Sequence, residues 1–227
     1  IAEACRFFEA PIISGNVSMY NQSETGPIYP TPTIGMVGTI EAGTPHITLE
    51  FKNADDQIIL LGKTRNALGG TEYLKTEHDL EVGLPPRLDL ETDKNLHETS
   101  RKSIEAGIAS SAHDLSEGGL AIALAESAIE GNLGVEINLK AKQDSLRIDA
   151  TLFAETQSRA IISISKENLT SLEKIAAEHN TPYEIIGSVT KEGQFKINID
   201  GEKIIDEKID ELADIYHNSI ENYLREK

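Results

Sequence analysis

The stretch at 112–131, Ala-His-Asp-Leu-Ser-Glu-Gly-Gly-Leu-Ala-Ile-Ala-Leu-Ala-Glu-Ser-Ala-Ile-Glu-Gly, constrains this chain more than any other. From Leu120 to Ala125 it is apolar on nearly all sides, the pattern of a helix buried on both faces. Ser116 stands where an N-cap hydroxyl would accept a free amide of the first turn. Gly118 and Gly119 carry no Cβ, so another group can approach the backbone there. A helix start with free N–H groups and two glycines suits an anion. Asp114 and Glu117 stand at the same place, and carboxylates beside a phosphate call for a bridging cation such as Mg²⁺. The same residues also read as a capped core helix with solvated acids, and a short glycine motif alone does not decide between the two.

The charge balance removes several classes of partner. With 21 basic and 38 acidic residues the net charge is −17. Nucleic acid and anionic membrane need a basic footprint that this chain lacks. No apolar run is long enough to span a bilayer. A hydrophobic content of 39% supports a real core. Cys5 is the single cysteine, so no internal disulfide forms and a reducing cytoplasm is the natural compartment. The chain opens on Ile1 inside a helical pattern and reads as a piece of a longer protein.

Along the chain, residues 1–9 read as the last turns of an amphipathic helix stopped by Pro11. A short strand then runs into Ser14-Gly15-Asn16-Val17-Ser18-Met19-Tyr20-Asn21. Alternation puts Asn16 and Ser18 on one face of an extended chain. Gly15 permits close approach, Asn16 offers a neutral carbonyl oxygen to a hard cation, and Ser18 offers a hydroxyl. An Asn/Ser-rich loop closing a strand is the alternative. Residues 22–33 hold three prolines and a glycine and mark a boundary. We therefore expect residues 1–27 to be the tail of a preceding domain and residues 28–227 to be one α+β domain with a mixed, mostly antiparallel sheet covered by helices.

Strands are expected at 34–40, 47–51, 57–61, 108–113, 135–139, 160–164, 183–189 and 194–199, with helices at 72–75, 94–107 and 166–179. Residues 62–71 hold a Gly pair and read as a polar surface loop, with an anion loop as the alternative. The C-terminal stripe Ile209, Leu212, Ala213, Tyr216, Ile220, Tyr223 and Leu224 follows helical spacing and reads as core packing. Glu155, Thr156 and Gln157 set acid, hydroxyl and amide side by side; they either hydrogen-bond a ligand or cap a turn. No zinc spacing, Walker A sequence or Rossmann fingerprint is present. Three polar stations remain, at 14–21, 112–119 and 155–159, all suited to a magnesium nucleotide or a phosphosugar.

Four runs, at 11–21, 29–38, 113–120 and 152–159, resemble in order the C-terminal part of the synthetase subunit of phosphoribosylformylglycinamidine synthases. Aminoimidazole ribonucleotide synthetase, selenophosphate synthetase, thiamine-phosphate kinase and a hydrogenase maturation factor share that family's fold. The resemblance implies a duplicated parent chain, of which this is the last part. It implies an ATP-dependent ligase of purine biosynthesis. Phosphorylation activates the amide oxygen of formylglycinamide ribonucleotide, and ammonia derived from glutamine displaces phosphate. Partners would be the first half of the same chain, a glutamine amidotransferase subunit and a small accessory subunit. Carried over, Gly15 serves ATP, Asn16 serves Mg²⁺ and Ser18 serves substrate. Asp114, Glu155, Thr156 and Gln157 would line an auxiliary nucleotide site. A free-standing nucleotide-binding module of the same fold is the rival reading.

Overall fold

The computed structural model describes residues 1–18, 21–29, 31–141 and 145–225. The contacts divide it into two compact units, Ile1–Thr44 and Pro45–Lys227. The first unit has a short helix α1 (Ala2–Phe7) and two two-residue strands, β1 (Gln22–Ser23) and β2 (Gly26–Pro27), paired antiparallel. Met19, Tyr20 and Pro30 of the runs quoted above lie outside the described residues. The strand expected at 34–40 does not form: Ile34, Met36, Val37 and Ile40 are exposed and enter no ladder among the described residues. Alternating apolar residues make a strand only when a neighbouring edge accepts their backbone bonds.

The second unit is built on β3 (Gln57–Leu61), β4 (Ala109–Asp114), β5 (Gly134–Leu139), β6 (Ala160–Ile164), β7 (Tyr183–Thr190), β8 (Gln194–Ile199) and β9 (Glu202–Lys208). Their order in the sheet is β4-β6-β3-β7-β5-β8-β9. Only β5 and β8 run parallel, so the sheet is mixed and mostly antiparallel, as expected. The run Ile58-Ile59-Leu60-Leu61 of β3 is buried throughout because both faces are covered.

Helices α2 (Glu72–His78), α3 (Leu90–Glu105), α4 (Gly119–Gly131), α5 (Ile148–Phe153), α6 (Leu169–Glu178) and α7 (Ile209–Arg225) complete the unit. Ile59, Leu61, Ile162 and Ile164 face Leu96 of α3 and Leu172 of α6. Ile58, Leu60, Val135 and Ile137 face Leu120, Leu124 and Ala128 of α4, with Ile209, Leu212 and Ala213 of α7 beside them. Of the α4 run, Leu120, Ala121, Ala123 and Leu124 are buried, but Ile122 is 41% exposed, so the helix is covered on one side and not on both as its composition suggests.

Further sequence expectations change: of the C-terminal stripe only Ile209, Leu212 and Ala213 pack on the core, whereas Tyr216, Ile220, Tyr223 and Leu224 are exposed. Helix α3 starts at Leu90, earlier than position 94, because Asp89 caps it through the Thr92 amide at 2.8 Å. The run 47–51 docks on α4 instead of forming a strand: the Phe51 amide donates to the Ser127 carbonyl at 3.0 Å, and Phe51 enters the core. Strand β9 was hidden by its composition, Glu-Lys-Ile-Ile-Asp-Glu-Lys, which suits a charged sheet edge.

Candidate functional site

Strand β4 pairs with β6 so that His113 opposes Ile161 and Asp114 opposes Ala160. The ladder therefore ends at Asp114 just where the segment 154–159 enters β6. The Leu115 amide continues the contact, donating to the Arg159 carbonyl at 3.2 Å. Two of the three polar stations, around 114–119 and 155–159, thus meet at one end of the sheet. The third, with Gly15, Asn16 and Ser18, lies in the Ile1–Thr44 unit, where all three residues are exposed and nothing crowds the Gly15 Cα.

The glycine turn is built differently from a side-chain-capped helix start. Gly118 is the N-cap of α4, and no side chain caps it; Gly118 and Gly119 both take left-handed backbone angles, φ 76° and 64°. Ser116 points away, its hydroxyl donating to the Glu117 carboxylate, which holds Glu117 below the ordinary range. The close approach that Gly119 permits is made by the chain itself: a Cβ there would lie 2.6 Å from the Ala154 carbonyl oxygen at the end of α5.

Glu155 reaches the turn through its carboxylate. Its Oε1 accepts the Gly118 amide at 3.0 Å and the Glu72 amide, in the first turn of α2, also at 3.0 Å. Thr156 is buried, and its hydroxyl oxygen accepts the Arg65 amide at 3.1 Å while donating to the Arg65 carbonyl at 3.2 Å. These two side chains fasten the 62–72 segment to the sheet. Gln157 is exposed and donates to the Glu155 carbonyl at 3.3 Å. Asp114 has an 81% exposed side chain. Asp114 and Gln157 therefore present polar groups outward, whereas Glu155 and Thr156 shape the backbone around them.

His113 sits behind Asp114 with a carboxylate at each ring nitrogen: Nε2 is 2.9 Å from Glu126 Oε2, and Nδ1 is 3.5 Å from Asp114 Oδ1. The Tyr216 hydroxyl of α7 donates to Glu126 Oε1 at 3.3 Å. The Glu126 charge pushes the Tyr216 phenol above its ordinary value. Sequence reading gave His113 its place beside Asp114 but missed Glu126, whose position thirteen residues on carries no local signal. Among the described residues no group of three or more His, Cys, Asp or Glu is arranged to hold a metal ion, and no helix is long and apolar enough to cross a membrane.

Comparison with known proteins gives this geometry a family. The family described as "AIR synthase related protein, C-terminal domain" matches residues 53–200. Phosphoribosylformylglycinamidine synthase subunit PurL of Caldanaerobacter subterraneus subsp. tengcongensis is 46% identical over 97% of this chain and 30% of that protein. The subunit of the same name from Alkaliphilus metalliredigens is 41% identical over 97% of this chain and 29% of its own length. The chain thus spans about 30% of the length of the curated relatives it matches. PurL of Thermotoga maritima complexed with FGAR superposes with a TM-score of 0.64 at 20% identity, over 74% of this chain and 29% of that one. The ATP complex of the same protein gives 0.60 at 21% identity, over 74% and 27%. At such identities the superpositions speak for the fold alone. With the family pattern spanning the sheet from before β3 to the end of β8, the chain belongs to the AIR synthase related protein, C-terminal domain, family.

Proposed function

We propose that this chain is the last part of the synthetase subunit of phosphoribosylformylglycinamidine synthase. In that protein it contributes to the ATP-dependent conversion of formylglycinamide ribonucleotide to formylglycinamidine ribonucleotide. The observation that carries the reading is near-complete alignment of this chain to about 30% of each PurL relative at 46% identity and below. ATP supplies the phosphoryl group that activates the substrate amide. Gly15 leaves room for the nucleotide, Asn16 offers its carbonyl oxygen to Mg²⁺, and Ser18 contacts the substrate. A site with one neutral protein oxygen fits Mg²⁺, which keeps several waters and leans on substrate phosphates. Asp114 and Gln157 reach an auxiliary nucleotide, and Glu155 and Thr156 fix the backbone that surrounds it. The partners are the first half of the same chain, a glutamine amidotransferase subunit and a small accessory subunit, in the cytoplasm.

The test is steady-state kinetics of Asn16→Leu in the full-length parent chain. Removing one well-placed contact to a transferring phosphoryl group costs on the order of 10²–10³ in rate. Near wild-type turnover in a folded Asn16→Leu enzyme would reduce the 14–21 station to a structural loop.

A further inference from the structure

Lys63, Arg65 and Arg159 gather at one end of the seven-stranded sheet. Arg159 Nη1 donates to the Thr64 hydroxyl at 3.0 Å, directly between the other two, and Thr156 pins the Arg65 backbone beside them. Among the described residues none of the three forms an ion pair with a carboxylate. In a chain of net charge −17, with most surface acids available as partners, three cations left together call for a reason.

Arg159 sharpens the point. It is 2% exposed, and its guanidinium donates only to neutral oxygens: the Thr156 carbonyl at 3.1 Å, the Thr64 hydroxyl, and the Ala154 carbonyl. Burial pushes it down to about 10, so it is still charged at neutral pH. A buried charge ordinarily carries a counter-charge, because desolvation is otherwise uncompensated. Here three neutral oxygens hold it instead, and Arg159 is not among the residues that line the neighbouring cavity.

Beside this cluster lies a cavity of about 180 Å³, lined among others by Lys63, Arg65, Asn95, Gln157, Asn180 and Thr181. The neighbouring acids are engaged by other groups first, although the Arg65 charge also acts on Asp89. Asp89 caps α3 through the Thr92 amide and hydroxyl. Asp93 accepts the Ser158 hydroxyl at 2.8 Å and faces His97 at 3.6 Å. Three side-chain amides and two cations offer donors in one small space, the set that charge-assisted binding of an oxyanion uses. Sites for drug-sized ligands occupy roughly 300–1,000 Å³, so this cavity suits a single small group and not a whole nucleotide.

We propose that this cavity binds a phosphate group, free or at the end of a phosphomonoester, held by Lys63 and Arg65 with amide donors from Asn95, Gln157 and Asn180. Only Gln157 is shared with the auxiliary nucleotide assignment, and the cavity stands without that assignment.

The test titrates inorganic phosphate and ribose 5-phosphate separately into the full chain labelled with ¹⁵N, read by backbone amide shifts. Saturable shifts at 62–65, 157–158 and 180–181 are expected. Combining Lys63→Met with Arg65→Met should weaken binding about tenfold or more. Both side chains are exposed, so circular dichroism of the double variant should match the parent. Arg65→Lys, which keeps the charge, should retain most of the affinity. Tighter binding of ribose 5-phosphate assigns the group to a phosphomonoester; equal or tighter binding of phosphate assigns it to the free anion. Absence of saturable shifts at these amides with either anion, or unchanged affinity in the double variant, overturns the proposal.

Discussion

Glu155 accepts the backbone amide of Gly118 at 3.0 Å, and with the same oxygen it accepts the amide that opens α2. One carboxylate therefore joins the glycine turn before α4 to the first turn of a helix more than forty residues earlier. Losing an acceptor shared by two amides costs about 1–3 kcal/mol where those amides stay dry. Glu155→Ala should destabilise the chain by that amount in urea denaturation. Glu155→Gln keeps an acceptor oxygen and should lose clearly less. Equal losses would mean that the charge, not the acceptor geometry, matters.

Gly134 opens β5 beneath the connection from β7 to β8. A Cβ there would lie 1.8 Å from the Glu192 carbonyl oxygen and 2.8 Å from that of Gln194. Backbone cannot yield as a flexible side chain does, so Gly134→Ala should cost at least the roughly 1–3 kcal/mol of core overpacking. Gly193, in the same connection, has no atom within 4 Å of its would-be Cβ. Gly193→Ala is the control and should leave the thermal midpoint nearly unchanged.

The Tyr216 phenol is raised chiefly by the charge of Glu126, with desolvation and their hydrogen bond adding to it. The neutral phenol is thus favoured in the folded state. The stability this contributes is fully present below the ordinary tyrosine value near 10 and is lost as pH rises through the folded value. Ultraviolet titration of the parent against Tyr216→Phe should find Tyr216 ionising above the ordinary tyrosine value, and Glu126→Gln should remove most of the rise. An unshifted Tyr216 in the parent would show that the contact with Glu126 is not kept in solution.

In the full-length parent enzyme, Ser18→Ala should raise KM for the phosphosugar and leave ATP binding nearly intact. On the proposed assignment, Asn16→Asp would keep a ligand oxygen while adding charge near phosphates, so its loss should be moderate and should change with Mg²⁺ concentration. Kinetics at several Mg²⁺ levels check both. A Ser18→Ala enzyme that loses ATP affinity instead would move Ser18 to the nucleotide.

The sheet was legible wherever burial wrote a pattern. Ile58 to Leu61, buried on both faces, and Phe195, Ile197 and Ile199, buried on one, were read as strands from their spacing. Strand β9 was not, since an edge strand with half-exposed Ile204 and Ile205 among charges has no face to advertise. The convergence of 114–119 with 155–159 was visible only as two polar motifs, because the β4–β6 register that unites them is a property of pairing. Ser116 misled for a related reason: its hydroxyl found the Glu117 carboxylate next door, and the N-cap position fell to Gly118, which has no side chain to cap with. Lys63 and Arg65 share their cavity with Asn95, Gln157 and Asn180, which lie on other segments up to more than a hundred residues away, so no local reading of the 62–71 loop could reveal it.

The parallel pairing of β5 with β8 bears on how the chain folds. Strands β7 and β8 are joined by only residues 191–193, yet they are not neighbours: β5 lies between them, with Gly134 opposite Thr190 and Val135 opposite Phe195. The tight connection is an arch over the start of β5, not a hairpin. The β7–β8 connection therefore supplies no local hairpin nucleus, in contrast to β8 and β9, which pair antiparallel across the turn at 200–201. The arch closes only when a segment from about fifty residues upstream occupies the slot, a late event with a large loop-closure cost that should make the β5–β7–β8 ladder slow to form.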